Sequence, residues 1–312
     1  MKTEKDVRRK NMALTWKKVK RYKWLYVILL PVIIHTIVFR YSTQYGILMA
    51  FKDYRFSKGI LGSPWVGFKY FKMYFGSEFG RLMLNTLRMT VSSLIFGFPL
   101  PILLAILINE VRSSKYRKFV QTATYLPHFV SWVVVISIFS KILSPHDGIV
   151  NELLVKMFGI EPIYFMGEKK LFIPMYLIIG AWKDMGYSSI LFLAAIMGID
   201  QELYEAADID GAGKLRKIWS ITIPCLVPTI IIKFLMGVGG IVNVGFDIVY
   251  LMQTPTNLEV SEAINTYTLK QGLQAGNYSY ATAIGFFQSV LSFALVYIFN
   301  RISRHFTETS LW

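Results

Sequence analysis

Six long apolar runs constrain this chain more than any other feature of its sequence. A helix needs about 20 mostly apolar residues to cross the hydrocarbon core of a bilayer. Lipid cannot hydrogen-bond backbone groups, so a spanning segment must satisfy them internally, as a helix does. We therefore predict an all-α integral membrane fold with six transmembrane helices, at about residues 22–42, 83–108, 119–143, 172–197, 221–244 and 280–300.

The composition supports one membrane domain. The chain has 312 residues, of which 54% are apolar and 17% charged, whereas soluble domains average about 25% charged residues. We predict a basic N-terminal tail over residues 1–21 and a single transmembrane domain over 22–312. No small-x-small cleavage site follows the first apolar run, which predicts a retained anchor rather than a signal peptide. The single cysteine, Cys225, has no partner for an intrachain disulfide.

The net charge of +15 is distributed in a way that predicts membrane topology, and we expect no nucleic-acid partner. The first 23 residues alone contain ten Lys and Arg residues. Loops rich in Lys and Arg stay on the cytoplasmic side, so both termini are predicted to be cytoplasmic. The predicted first outside loop opposes the rule with six basic residues, Lys52, Arg55, Lys58, Lys69, Lys72 and Arg81.

A short polar segment, about residues 199–220, separates the fourth and fifth apolar runs on the predicted cytoplasmic side. Asp200 is suited to cap a helix, and Glu202 lies where the helix dipole favours an acid. Gly211 is suited to the left-handed position that ends a helix. We predict one helix of about ten residues lying across the base of the bundle. Without the longer motif described next, an ordinary interfacial helix between two spans is the simpler interpretation.

The same segment carries a longer motif, Glu205-Ala206-Ala207 with Gly211, followed by Ile221-x-Ile223-Pro224. It resembles the EAA signature of the membrane permeases of binding-protein-dependent ABC importers, with Ile223 in place of a Leu. The resemblance implies a type I ABC importer permease-like fold, in which this segment is a coupling helix that docks in a cleft of a separate ATPase. It also implies a coupling role for Glu205, Ala206, Ala207, Gly211, Ile221 and Pro224.

Other segments resemble one branch of that family, the sugar and complex-oligosaccharide permeases of the LplB type. They are Leu107–Arg112, Tyr125–Trp132, Ala263–Tyr267 and Ala281–Gly285. The resemblance implies a prokaryotic cell membrane, a second homologous permease, two ATPase subunits, an extracytoplasmic substrate-binding protein and an oligosaccharide substrate. The chain lacks the P-loop pattern G-x-x-x-x-G-K-[ST]. We therefore expect no cofactor here, with ATP and Mg on the partner ATPase.

Polar residues inside the apolar runs are costly in lipid and commonly mark transport paths. Trp182, Lys183, Asp184 and Tyr187 lie near the middle of the fourth run, with Lys183 and Tyr187 on one helical face. Aromatic rings suit pyranose faces, so this face is a candidate sugar site. The alternative is internal pairing, for example of Asp184 with Lys233. Three further candidates, which can bind hydroxyls or a neighbouring helix, are Asn243, Asp247 and Gln288.

Two other classes of protein are weighed against an oligosaccharide importer permease. A membrane enzyme acting on lipid-linked sugar needs convergent carboxylates, a metal cluster or a nucleophile with a base, and no such constellation is evident. An ion-driven secondary transporter predicts inverted repeats, and none is visible. His35 and His128 lack metal-ligand spacing. An importer permease for another small solute remains the alternative within the same family.

Overall fold

The computed structural model describes residues 21–76, 78–240, 242 and 244–307, and within these ranges the chain is helical with no β-strand. Two isolated β-bridges, Lys52 with Trp65 and Arg55 with Gly59, close the loop of residues 52–65, which we call the hairpin. The long elements are α1 (Lys23–Phe51), α2 (Phe79–Glu110), α3 (Ser114–Phe129), α4 (Trp132–Ile142), α5 (Phe172–Met197), α6 (Gln201–Ile209), α7 (Lys214–Val238) and α8 (Tyr278–His305). Shorter helices are Phe56–Lys58, Gly59–Gly62, Lys69–Tyr74, Ile149–Phe158, Lys169–Leu171, Phe246–Met252, Leu258–Ser261, Ile264–Leu269 and Lys270–Gln274.

The predicted number of six spans is not confirmed. Among the described residues, four helices are long and apolar enough to cross a membrane: α1, α2, α7 and α8. The bent pair α3 and α4 adds a fifth if the two are taken together. Helix α5 has 26 residues and is long enough, but Lys183 and Asp184 at its centre lower its mean hydropathy. For this reason α5 is not among the four apolar helices.

The third predicted span is a broken helix rather than a straight one. The axes of α3 and α4 differ by 103°. Pro127 lies in the last, 3-10 turn of α3, and Val130 and Ser131 are extended. The Ser131 hydroxyl then accepts a hydrogen bond from the Val134 amide and begins α4. A proline near a helix end followed by a capping serine stops one helix and starts another.

The fifth predicted span, residues 221–244, is displaced toward the N-terminus. Helix α7 begins at Lys214 and ends at Val238. Its turn at Ile218–Thr222 is a π-helix just before Pro224, where the proline ring cannot fit regular i→i−4 bonding. Beyond Val238 the glycine-rich chain leaves the helix, so Asp247 belongs to the separate helix Phe246–Met252 and not to the fifth span.

The predicted first outside loop is more ordered than its turn-rich sequence indicates. Phe51 at the end of α1 lies at the centre of an aromatic cluster whose other members are Trp65, Phe68, Phe71 and Phe286. The Tyr70 hydroxyl donates a 2.6 Å hydrogen bond to Asp53, which lowers the pKa of that carboxyl. This hairpin therefore holds the end of α1 against α8.

Helix α5 is the central element of the bundle. One end packs into an apolar core with α4 and Phe246–Met252, around Ile179 and Ile248. Its other end packs with α2 and α7, around Phe192, Ile108 and Leu226. The polar residues of α5 lie between these two cores. By contrast, the most apolar stretch of α1 is 0% buried within the described chain. Its surface is therefore open to contact with lipid or another subunit.

Candidate functional site

The segment carrying the EAA motif forms the predicted short helix, α6, with strong caps at both ends. The Asp200 carboxylate accepts a hydrogen bond from the Glu202 amide at 3.0 Å. At the other end Gly211 has a φ of 71°. Its amide bonds the carbonyl of Asp208 at 3.0 Å, and the Ala212 amide bonds that of Ala207 at 2.8 Å. This pair of bonds is a Schellman motif, so the chain leaves α6 in one defined direction.

The exposed surface of α6 and of the first turns of α7 combines acidic and apolar side chains within the described chain. Four large apolar side chains are 47–88% exposed there: Leu203, Ile209, Leu215 and Trp219. Glu205 and Ala206 are also exposed, Ala207 is half-buried, and no ion pair of Glu205 is found among the described residues. Large exposed apolar side chains close to an exposed, unpaired carboxylate are typical of a protein-binding surface.

The opposite side of α6 is tied to the membrane helices. The Tyr204 hydroxyl lies 2.9 Å from the Thr222 hydroxyl, at the start of α7. Lys217 donates to Asp208 at 2.7 Å, and Lys214 lies 3.6 Å from Glu110 at the end of α2. Ile221 is half-buried beside these contacts, and Pro224 is exposed in the first turn of the regular helix. These contacts connect α6 to α7 and α2.

A cavity of about 200 Å³ lies in the middle of the bundle, between α2, α4 and α5. Its lining includes Trp132, Asp184 and Ser188. A second cavity, of about 290 Å³, opens beside it toward α7 and shares Ser93, Gly97, Tyr176 and Gly245 with the first. The lining of the two adjacent cavities is mainly apolar and aromatic, with a few hydroxyl groups and one carboxylate, that of Asp184.

Lys183 and Tyr187, four residues apart on α5, both contact His128 but differ in exposure. Lys183 is 5% exposed, whereas Tyr187 is 46% exposed. The Lys183 ammonium donates a 2.6 Å hydrogen bond to the His128 carbonyl. It also lies 5.0 Å from the centre of the Trp132 ring, at cation–π distance. Burial at the contact with the α3–α4 break therefore separates Lys183 from the open surface.

Asp184 pairs with His128, and not with Lys233 as considered from the sequence. Its carboxylate accepts a 2.8 Å hydrogen bond from His128 Nδ1. The His128 ring stacks on Tyr187 with the centroids 3.9 Å apart and the planes 2° from parallel. Sequence reasoning set His128 aside because it lacks metal-ligand spacing. Pro127, beside it, is the sequence signal that a helix ends at this point.

The other sequence candidates lie in different surroundings. Trp182 is 42% exposed and meets Phe139 edge to face at 5.5 Å. Gln288 donates to the Val242 carbonyl, which matches the alternative that it bonds a neighbouring segment. Asp247 is exposed in the first turn of Phe246–Met252, and Asn243 lies outside the described residues. Across the described ranges, no group of three or more His, Cys, Asp or Glu side chains could hold a metal ion.

The chain matches a known protein family and is similar in sequence to two proteins of Bacillus subtilis. The family model described as "Binding-protein-dependent transport system inner membrane component" matches residues 77–308. Protein LplB of Bacillus subtilis (strain 168) is 42% identical over 94% of this chain and 92% of its own length. The polygalacturonan/rhamnogalacturonan transport system permease protein YteP of the same organism is 41% identical over 99% and 95%.

Solved structures give the same result at the level of the fold. A chain of a bacterial ABC transporter involved in the import of the acidic polysaccharide alginate superposes with a TM-score of 0.87. It is 43% identical, and the match covers 94% of this chain and 99% of that one. A second structure, of a bacterial alginate ABC transporter in complex with an alginate pentasaccharide-bound periplasmic protein, also gives a TM-score of 0.87 at 43% identity, over 95% and 99%.

Proposed function

This chain belongs to the family of binding-protein-dependent transport system inner membrane components, and on that premise we propose that it forms the translocation path for an oligosaccharide. It has the fold of a type I ABC importer permease. It is a multi-pass membrane protein and the permease subunit of an ABC importer of sugars or oligosaccharides, a transport subunit and not an enzyme.

The coupling role that we propose rests on the structure of the capped helix α6. Its outer surface presents Glu205 and exposed apolar side chains, and its inner side is bonded to α7 and α2. Such a helix can receive a displacement from an ATPase and pass it to the membrane helices. We assign this role to Glu205, Ala206, Ala207, Gly211, Ile221 and Pro224.

The complete transporter needs partners that supply energy and substrate. We propose a second homologous permease, two ATPase subunits that bind ATP and Mg, and an extracytoplasmic substrate-binding protein. The structure with a pentasaccharide-bound periplasmic protein supports the last of these for a homologous transporter. The uncovered apolar surface of α1 is consistent with contact to lipid or to the second permease. This chain itself is proposed to hold no cofactor and no nucleic acid.

The membrane arrangement is also a proposal. We count α5 as the sixth span because its 26 residues extend about 39 Å at 1.5 Å per residue, enough to cross the bilayer. Its polar centre contacts the bent helix and the cavity rather than lipid. With six spans and the basic tail inside, both termini are cytoplasmic, and the host membrane is the inner or plasma membrane of a prokaryote.

The substrate class follows from the relatives and from the chemistry of the path. The names of the relatives mention polygalacturonan, rhamnogalacturonan, alginate and arabino-oligosaccharides, which are all saccharides. Aromatic rings, hydroxyl groups and a carboxylate near the cavity can contact sugar rings and their hydroxyls. We propose an oligosaccharide, with acidic saccharides the first to test.

Affinity purification of the tagged chain from its own host membrane tests the proposal. Mass spectrometry should identify a homologous permease and an ATPase in the same complex, and a lipid-linked-sugar enzyme would instead copurify with its lipid substrate. The substrate-binding protein loaded in turn with alginate, galacturonate and arabino-oligosaccharides should stimulate ATP hydrolysis by the complex for at least one of them. Absence of an ATPase from a stable complex, or no stimulation by any saccharide, would contradict the proposal.

A further inference from the structure

One short part of α5 makes several close contacts with the α3–α4 break. Lys183 and Asp184 both bind His128, and Tyr187 stacks on it. Gly186 lies directly against the Thr124 backbone, where a Cβ atom would come within 2.0 Å of the Thr124 carbonyl oxygen. These residues, all within Trp182–Tyr187, build a defined surface around the break rather than a simple helix crossing.

Lys183 satisfies the backbone at the end of α3. The last carbonyl groups of a helix have no partner within the helix, and away from water an unpaired carbonyl is costly. The Lys183 ammonium bonds one of them, that of His128, at 2.6 Å. Since Lys183 is only 5% exposed and covered by the Trp132 ring, it positions the break and does not reach open space.

These contacts create an exposed aromatic surface with a carboxylate at its edge. The stacked rings of His128 and Tyr187 are met edge-on by Phe129, at 5.6 and 6.2 Å. Tyr187 is 46% exposed and Phe129 is 74% exposed. The Asp184 side chain orients His128, is 43% exposed, and also lines the 200 Å³ cavity.

This surface is unsuited to lipid. A partly exposed carboxylate and imidazole in contact with hydrocarbon are unfavourable, and ionisable groups within a span usually face a cavity or a partner. Ring faces with an adjacent hydrogen-bond acceptor are instead complementary to a pyranose, whose C–H groups pack on aromatic faces while its hydroxyls donate to oxygen. Continuity with the cavity through Asp184 favours the substrate over a protein partner.

We propose that the stacked pair His128–Tyr187, with the Asp184 carboxylate at its edge, is a saccharide-binding platform in the translocation path, and that Lys183 is a positioning residue that supports it. The inference rests on the proposed function, and it adds His128 to the site and separates the buried Lys183 from the groups that meet the sugar. Lys183 is a support for the platform and makes no contact with the sugar.

The test uses the full complex in proteoliposomes, with saturating binding protein and the alginate or galacturonate oligosaccharide that supports wild-type uptake. Tyr187→Ala removes the stack and should lower the uptake rate about tenfold, the upper range for one aromatic contact, with complex yield unchanged. Tyr187→Phe keeps the ring and should recover most of the rate. Phe293→Ala, which removes an exposed aromatic side chain from α8, is the matched control with wild-type uptake.

A labelling experiment separates substrate contact from structural support. A cysteine at Phe129, in a Cys225→Ser background, should react with a maleimide and be protected by the saccharide during turnover. Lys183→Met should remove that protection and lower the complex yield, and Lys183→Arg should restore both in part. A Lys183→Met complex with normal yield and normal protection that has lost uptake would show that Lys183 contacts the sugar itself, against the assigned role.

Three results overturn the inference in distinguishable ways. Wild-type uptake in Tyr187→Ala, with no protection of the cysteine at 129, excludes the platform and leaves the permease function intact. Loss of the second permease from the Tyr187→Ala complex identifies the ring surface as a subunit contact instead. Absence of uptake of every saccharide by an intact wild-type complex contradicts the proposed function, and this inference with it.

Discussion

At the scale of single residues, Gly186 and Gly211 are required for opposite reasons. Gly186 has no room for a side chain, because the Thr124 backbone occupies the place where a Cβ atom would lie. Gly211 has open space around it, but its φ of 71° is one that other L-residues rarely adopt. One glycine therefore permits helix packing, and the other permits a helix to end.

Replacing Gly186 with alanine should destabilise the packing of α3 on α5. The added methyl group meets backbone atoms that cannot move aside locally, and overpacking of this kind costs about 1–3 kcal/mol. Thermal unfolding of the detergent-solubilised complex should occur at a lower temperature. Gly285→Ala is the control, since a Cβ atom there meets nothing within 4 Å. Equal melting temperatures for the two variants would contradict the close approach seen at Gly186.

Reversal of the charge at Glu205 should uncouple the transporter. Glu205 is exposed on α6 and has no ion pair in the described chain, so Glu205→Lys should fold normally yet repel a basic partner residue. We expect stimulation of ATP hydrolysis by the loaded binding protein to fall about tenfold or more, the effect of about 1.4 kcal/mol. Glu161→Lys makes the same charge change at an exposed acid that lies far along the chain from α6 and is the control. Full stimulation in Glu205→Lys would remove Glu205 from the coupling surface.

At the scale of elements, local sequence signals predict α6, whereas the α3–α4 break and the start of α7 involve contacts between distant segments. Asp200 and Gly211 act on the helix that they flank, so their chemistry is readable from the sequence. Pro127 and Ser131 end α3 and begin α4 locally, but the surroundings of the break come from α5, which supplies Lys183 and Asp184 to His128. The early start of α7 depends on contacts with α6 and α2. Such contacts between distant segments are not encoded in a hydropathy pattern.

The exit from α6 should be sensitive to alanine at Gly211 and insensitive at Gly213. A side chain at a left-handed position costs about 1–2 kcal/mol, whereas Gly213 has ordinary extended geometry with a φ of −69°. Both positions have open space, so only the backbone differs. Gly211→Ala should assemble but show weaker ATPase stimulation, and Gly213→Ala should match the wild type. The same activity in both would contradict a coupling role for the Schellman turn.

At the scale of the whole molecule, the proposed topology places α6 and the hairpin after α1 on opposite sides of the membrane. Two exposed positions report on this directly, Leu61 on the hairpin and Leu215 after α6. With Cys225 replaced by serine, an impermeant maleimide added to intact cells should label a cysteine at 61 and not one at 215. Labelling at 215 but not 61 would invert the topology; detergent-permeabilised cells, in which both sites should react, are the control.

We expect this chain to conduct an oligosaccharide when a partner subunit hydrolyses ATP. ATP-dependent uptake of a radiolabelled oligosaccharide tests it most directly, in proteoliposomes that contain the purified complex, internal ATP and external loaded binding protein. We predict uptake that requires ATP and the binding protein, persists without an ion gradient and is lost in the Glu205→Lys complex. Uptake driven by an ion gradient in the absence of ATP, or normal uptake in the Glu205→Lys complex, would contradict the account.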